Sequence, residues 1–188
     1  MRIEDLAFVT SNEGKLREAE AVLGCRLAHC ALDIDELQSL DLEQVVRHKA
    51  AEALRRLGRP VVVEDTALEL AGLGGFPGPL VRWLLASVGP AGICRLAEAF
   101  GDRAATARCI ALATDGVDEA VGVGLVTGTI VETPRGGHGF GWDSVFAPDG
   151  GDGRTYAEMD EAEKNAISHR RRAFEALRAA LASTGSRG

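Results

Sequence analysis

"FVTSNEGKLREAE", residues 8–20, opens like a buried strand and closes like a charged helix. Thr10, Ser11 and Asn12 stand at the handover, and Lys15 follows within the first helical turn. A small-residue turn into a helix offers backbone N–H groups and short side-chain donors to a phosphate. A lysine so near a helix N-terminus opposes the macrodipole, so its charge points to an anion. The pattern GxxxxGK[ST] is absent, so this is not a Walker A loop.

The strand-to-helix change that begins here recurs along the chain and sets the fold class. Residues 6–10 read as a strand and 12–23 as a helix, with Leu16, Ala19 and Leu23 on one face. Residues 26–32 are a candidate second strand. "DLEQVVRHKAAEALRRL", residues 41–57, reads as a helix with Asp41 as cap, Gln44 placed as in a capping box, and Gly58 and Pro60 beyond its end. "VVVED", residues 61–65, has three β-branched residues in a row and suits a strand buried on both faces. "GLGGFPGP", residues 72–79, is a turn-rich loop, and residues 80–100 are helical with a break at Gly89-Pro90. Residues 104–114 and 119–133 form a hairpin around Asp115-Gly116, "PRGGHGFGWD" (134–143) is a glycine-rich loop, and 169–182 is the last helix. Helices alternate with strands before a long hairpin, which predicts an α/β protein with a mixed sheet. Residues 1–182 read as one domain, and 183–188 as a disordered tail.

The 21 basic and 28 acidic side chains leave a net charge of −7, against the broad basic footprint of a nucleic-acid binder. No apolar run reaches the length of a membrane span, and the first residues lack a signal-peptide pattern. Cys25, Cys30, Cys94 and Cys109 match no zinc spacing and read as free thiols of a reducing cytosol. A cytoplasmic protein with no nucleic-acid or membrane partner is expected.

Four groups of residues do not behave as scaffold. Lys49 lies seven residues after Leu42, about 20° from it at ~3.6 residues per turn, so it falls in the apolar stripe of its helix. It is either a snorkelling lysine or one aimed into an anionic cleft. Asp65, beside Glu64, ends a buried strand, where open α/β sheets bind ligands and two carboxylates could hold a hard cation. A charged turn is the alternative. Ser168 is a plausible N-cap, which puts His169 and Arg170 in a first helical turn. Cations there cost roughly 0.3–1 kcal/mol each unless an anion sits nearby. In "GHGFGWD", residues 137–143, Phe140 and Trp142 suit stacking on a planar base or an aromatic plug between lobes. Together these features point to a polyphosphate and a divalent metal.

Three blocks, "FVTSNEGKLREAE", "VVVEDTALELAGLGGFPGP" and "GFGWDSVFAPDGGDGRTYAEMDEAEKNAISHRRRA", carry a resemblance to the inosine triphosphate pyrophosphatase (Ham1-like) family. They match T-x-N-x-x-K, V-E-D-[TS], G-x-P-G, F-G-[YW]-D, K-N and S-H-R in order. The resemblance implies an elongated two-lobed fold, a long curved mixed sheet and an active cleft between the lobes. It implies a homodimer that uses Mg2+ to hydrolyse ITP, dITP and XTP to the monophosphate and pyrophosphate. It also implies roles for residues: Asp65 as catalytic carboxylate; Glu36 and Asp65, with Glu64 as a possible third, as metal ligands; and Thr10, Ser11, Asn12, Lys15, Lys49 and Arg82 at the phosphates. Phe140, Gly141, Trp142, Asp143, Lys164, Ser168, His169 and Arg170 become substrate contacts, with Arg170, His169 and N–H groups near Phe140 as donors to a 6-oxo purine. Leu80, Arg82, Ser144 and Ala67 depart from the family's usual residues. Two rivals remain at this point: a non-catalytic nucleotide sensor, and a Maf-like pyrophosphatase acting on modified pyrimidine triphosphates.

Overall fold

The structure is a computed structural model that describes residues 1–184. Strand β1 (Ala7–Val9) pairs in parallel with β2 (Ala28–Cys30) and β3 (Val61–Leu70). Helices α1 (Glu13–Leu23) and α2 (Leu42–Leu57) make the crossovers. The second strand is shorter than the 26–32 expected for it. α2 starts where Asp41 accepts hydrogen bonds from the N–H groups of Glu43 (2.9 Å) and Gln44 (3.3 Å), and it ends at Gly58 with φ 61°. Only half of the expected capping box forms, because the Gln44 side chain accepts from Ser39 Oγ instead.

β3 runs for ten residues, well beyond Asp65. It continues because Ala67, Leu68 and Leu70 are buried and its whole length pairs antiparallel with β5 (Ala104–Thr114). β5 returns to β6 (Glu119–Ile130) through the expected turn, where Asp115 Oδ1 accepts from the N–H groups of Val117 and Asp118. The sheet is completed by β4 (Pro77–Gly78) beside β3 and β7 (Phe146–Pro148) beside β6, giving the order β2-β1-β3-β5-β6-β7. β1 makes the parallel pairs and the rest are antiparallel, so the sheet is mixed, as predicted.

α3 (Val81–Ala99) breaks at Gly89 (φ 67°, ψ 177°), just before Pro90. α4 (Glu161–Ile167) had not been predicted; it opens on a capping box between Asp160 and Glu163. α5 (His169–Thr184) continues past the predicted end at 182, so Ser183 and Thr184 are helical. Residues 185–188 of the expected tail lie outside the described residues.

Alternation along the strands separates the cores. Phe8 and Val62 face α1 and α5, packing with Ala19, Phe174 and Leu177. Their neighbours Val9, Val61 and Val63 face α2, packing with Val46 and Ala50. A third cluster at the far end of the sheet joins Leu70, Ile93, Phe146 and Tyr156. β3 contributes to all three, so one strand carries Asp65 between two packed ends. Among the described residues no helix is long and apolar enough to cross a membrane.

α5 lies on β6 at two glycines. A Cβ on Gly124 would overlap the carbonyl oxygen of His169, and one on Gly122 that of Ala173. Gly124→Ala must push back the helix that begins with His169 and Arg170. It should destabilise the fold by about 1–3 kcal/mol or more, read as a lower urea midpoint. Gly137→Ala, with nothing within 4 Å of the added carbon, should be close to neutral.

Candidate active site

A cavity of about 860 Å³ opens beyond the carboxyl end of β1 and the middle of β3. Thr10, Ser11, Asn12 and Lys15, the charged side chains Glu36, Lys49, Asp65 and Arg82, and Phe140, Gly141 and Trp142 all line it. The turn into α1 is shaped by its own side chains. Thr10 Oγ1 accepts from the Asn12 N–H at 3.1 Å, and Asn12 Oδ1 caps the helix by accepting from the Lys15 N–H at 3.1 Å.

Two ammonium groups bracket Asp65. Lys15 Nζ is 3.4 Å from Oδ1 and Lys49 Nζ is 3.6 Å from Oδ2. The Thr66 N–H also donates to Oδ1, at 2.8 Å. Glu36 stands on the other side of Lys49, 3.9 Å away, and meets Arg82 at 3.5 Å. Lys49 therefore takes the cleft-facing alternative, with its stem packed and its head between two carboxylates. Glu36 and Asp65 are the two carboxylates nearest the Lys49 ammonium, and both line the cavity. Glu64 cannot join them without breaking its own pairs. Side chains alternate along β3, so Glu64 points away from the cavity, 1% exposed.

Behind the cavity wall lies a buried network of charges. Glu64 meets Lys15 at 2.7 Å and Arg170 at 3.3 Å. Arg170 also pairs with Glu18, and Glu18 with Lys164 at 2.7 Å. Lys164 reaches Asp143 at 2.7 Å, and Asp143 in turn accepts from the Phe140 N–H at 2.8 Å. The Lys164 ammonium lies 4.7 Å from the centre of the Phe140 ring. His169 is 2% exposed, packed between Trp142 and Tyr156.

This arrangement changes the reasons given for several residues. The charge of Lys15 is answered by Glu64 and Asp65, so no phosphate is needed to explain it. The cation of Arg170 at the start of α5 is answered by Glu18 and Glu64. Ser168 is the expected N-cap, accepting from the Arg171 N–H at 3.1 Å. Asp143, Lys164, Ser168, His169 and Arg170 do not line the cavity; all are buried behind it. The donors expected for a purine 6-oxo group are occupied or screened. The Phe140 N–H goes to Asp143, the Arg170 guanidinium to two carboxylates, and His169 sits behind Trp142. Trp142 is itself 8% exposed and packs on Phe146, so much of it is plug. The residue that sequence reasoning missed is Glu18. Its only signal is its place three residues after Lys15, on the same helical face, and that spacing is also common for exposed ion pairs.

The sequence pattern of the Ham1 family matches residues 6–180. The chain belongs to the Ham1 family. An inosine triphosphate pyrophosphatase 2 of Trypanosoma cruzi is 45% identical over 177 residues, covering 93% of this chain and 90% of the relative. An inosine triphosphate pyrophosphatase of Yarrowia lipolytica is 45% identical over 182 residues, covering 94% and 95%. The structure of a Ham1 protein from Coxiella burnetii superposes with a TM-score of 0.79 at 28% identity, covering 95% of this chain and 99% of that one. A nucleoside-triphosphatase / dITP/XTP pyrophosphatase from Mycobacterium abscessus gives 0.71 at 27% identity, covering 95% and 97%.

The buried charges of this Ham1 chain tie its stability to pH. Burial, aided by the Arg170 and Lys164 cations, holds the His169 imidazole well below its usual range; the nearby Glu64 carboxylate opposes this and Lys15 adds to it. Folded His169 stays neutral where the unfolded chain takes up a proton, so its contribution is full above about pH 6.5 and is lost as the pH falls. Burial pushes the Glu64 carboxyl up, but Lys15 and Arg170 outweigh it and hold the group below its usual range. The same balance, through Arg170 and Lys164, holds Glu18 down. These two contributions are full above about pH 4.5 and are lost below it. Asp143 works the other way, because burial holds its carboxyl up despite Lys164, so it gains stability on acidification. Urea unfolding should show stability falling below about pH 6.5 by up to about 1.4 kcal/mol per pH unit. His169→Gln should flatten that limb and leave the steeper one below about pH 4.5. An unchanged limb in the variant would assign it to another group.

Proposed function

We propose that this chain hydrolyses the deaminated purine nucleoside triphosphates ITP, dITP and XTP to the monophosphate and pyrophosphate, so removing them from the nucleotide pool. The observation that carries the reading is one cavity lined by Lys15, Lys49, Asp65 and Glu36 together with Phe140 and Trp142. A triphosphate tail needs the first set and a planar base the second. The relatives named as inosine triphosphate pyrophosphatases support the substrate class.

The chemistry follows from what surrounds Asp65. Each of its oxygens faces an ammonium group, so an incoming phosphate competes with it for Lys15 and Lys49. Substrate binding thereby releases Asp65 to orient a water molecule and take its proton as the water oxygen attacks the α-phosphorus. The α–β bridging bond breaks, and its electron pair leaves with pyrophosphate, whose charge Lys15, Lys49 and Arg82 stabilise. Glu36 and Asp65 would hold a divalent metal, Mg2+ in this reading. The donors fit in kind, being two carboxylates that line the same cavity; among the described residues no group of three or more His, Cys, Asp or Glu side chains is placed to hold a metal ion. A hard ion that keeps waters and phosphate oxygens asks for no more than one or two carboxylates. When bound, the metal neutralises phosphate charge and lowers the pKa of coordinated water. Lys164, Ser168, His169, Arg170 and Asp143 enter this reading as the layer that supports Phe140 and Trp142. A cytoplasmic homodimer belongs to the same proposal and is carried by the family resemblance alone.

Pyrophosphate release with Mg2+ should be fast on ITP, dITP and XTP and at least tenfold slower on ATP, dUTP and methylated pyrimidine triphosphates. Equal turnover of ATP and ITP would remove the selective part of the proposal. Asp65→Asn keeps the shape of the side chain and removes the base, so kcat should fall by about 10²–10⁴-fold. Near-normal turnover in that variant would take the role away from Asp65.

A further inference from the structure

Gly14 lies in the first turn of α1, between the phosphate-end residues Asn12 and Lys15. It also touches the ring read above as the base platform. A Cβ built on Gly14 would stand 2.8 Å from Phe140 Cε1, 2.9 Å from Cδ1 and 3.1 Å from Asn12 Oδ1. Carbon atoms pack at about 3.5–4.0 Å, so any side chain at 14 must move the ring by roughly 1 Å. The ring is the part that can move. Gly139 and Gly141 flank Phe140 at φ 73° and 64°, and the backbone between them is held by the bond from the Phe140 N–H to Asp143. Gly14 itself has an ordinary helical backbone, absent from the positive-φ glycines, so glycine is not needed there for conformation. Alanine would favour the helix. The bare position therefore calls for another reason, and the contact supplies one.

We propose that Gly14 is a positioning residue that sets the spacing between the base platform and the phosphate end of the cavity, by letting Phe140 rest directly on the turn that carries Asn12 and Lys15. The inference rests on the nucleoside triphosphate reading above. A purine stacked on Phe140 and a phosphate tail at Lys15 are joined by one ribose, so a displaced platform weakens ligands that use both ends. A ligand confined to the phosphate end is unaffected.

The test compares Gly14→Ala with the wild type on ITP and with inorganic tripolyphosphate as a competing inhibitor. The expected result is a KM for ITP raised about tenfold with kcat nearly kept, which marks lost uniform binding. Tripolyphosphate inhibition should stay within about twofold and Tm should not fall. In a Phe140→Ala background, Gly14→Ala should change KM by less than about twofold, since the ring that it displaces is gone. The role is overturned if Gly14→Ala leaves KM for ITP within about twofold of wild type. It is also overturned if the rise persists in the Phe140→Ala background, which routes the effect through Asn12. A wild-type protein that releases no pyrophosphate from ITP removes the functional reading and this role with it. An active wild type with an indifferent Gly14→Ala removes the role alone.

Discussion

Arg170 carries a permanent charge at 2% exposure, and much of the molecule is arranged around answering it. A guanidinium cannot shed its proton to escape burial, as a lysine can, so carboxylates must come to it. One comes from α1 (Glu18) and one from β3 (Glu64), while Arg170 itself belongs to α5. The pairing adds little net stability over a well-packed apolar cluster, because desolvation offsets most of the attraction. Its effect is on register. Sliding any one of the three elements leaves a buried charge unpaired, at about 3–5 kcal/mol. The apolar contacts around Phe8 and Phe174 tolerate small shifts far better. Lys164 extends the same constraint to α4 and, through Asp143, to the glycine-rich loop. That loop is one wall of the cavity, and a charge helps to moor it.

The mooring explains how a glycine-rich segment without helix or strand holds two aromatic rings in place. Gly136, Gly139 and Gly141 all take positive φ, so the backbone of the loop is shaped by turns and carries no strand or helix pairing. Asp143 ties it down by accepting from the Phe140 N–H while bound to Lys164. Trp142 is then pinned edge-on to Phe146 and beside His169, and Phe140 is left over the Lys164 ammonium. The aromatic surface of the cavity is thus positioned by electrostatics one layer deeper, at residues that never reach the cavity.

The sequence showed the cavity wall more clearly than the layer behind it, and for a physical reason. Lys49 in an apolar stripe and Asp65 at the end of a β-branched strand are local contradictions, and a local contradiction is visible in one segment. The hairpin, the break at Gly89-Pro90 and the cap at Asp41 were legible for the same reason, as each is written in a few adjacent residues. Glu18 was not, because an acidic residue on an amphipathic helix is ordinary until its partners, 146 and 152 residues away, are folded against it. β7 and β4 were missed because strands of three and two residues carry no period. The basic start of α5 is an anomaly in the sequence because its carboxylate partners, Glu18 and Glu64, lie far away in it.

The charges in and behind the cavity bear on the proposed metal. Behind the wall, Glu18, Glu64 and Asp143 stand against Lys15, Lys164 and Arg170. In the cavity, Asp65 and Glu36 pair with Lys49 and Arg82, and Glu13, Asp33 and Asp35 line it as well. Each of these cations therefore has a carboxylate partner before any ligand arrives. A triphosphate brings several negative charges into this balance, and every cation that turns toward it abandons a carboxylate. Arg82 turns most cheaply, since its side chain is 75% exposed and only loosely held by Glu36. Lys15 turns least cheaply, because leaving Glu64 strands a buried carboxylate. A divalent ion, if held by Asp65 and Glu36 as proposed, would offset part of the phosphate charge while Glu64 keeps Lys15 and Arg170, and so would leave the register of α1, β3 and α5 intact.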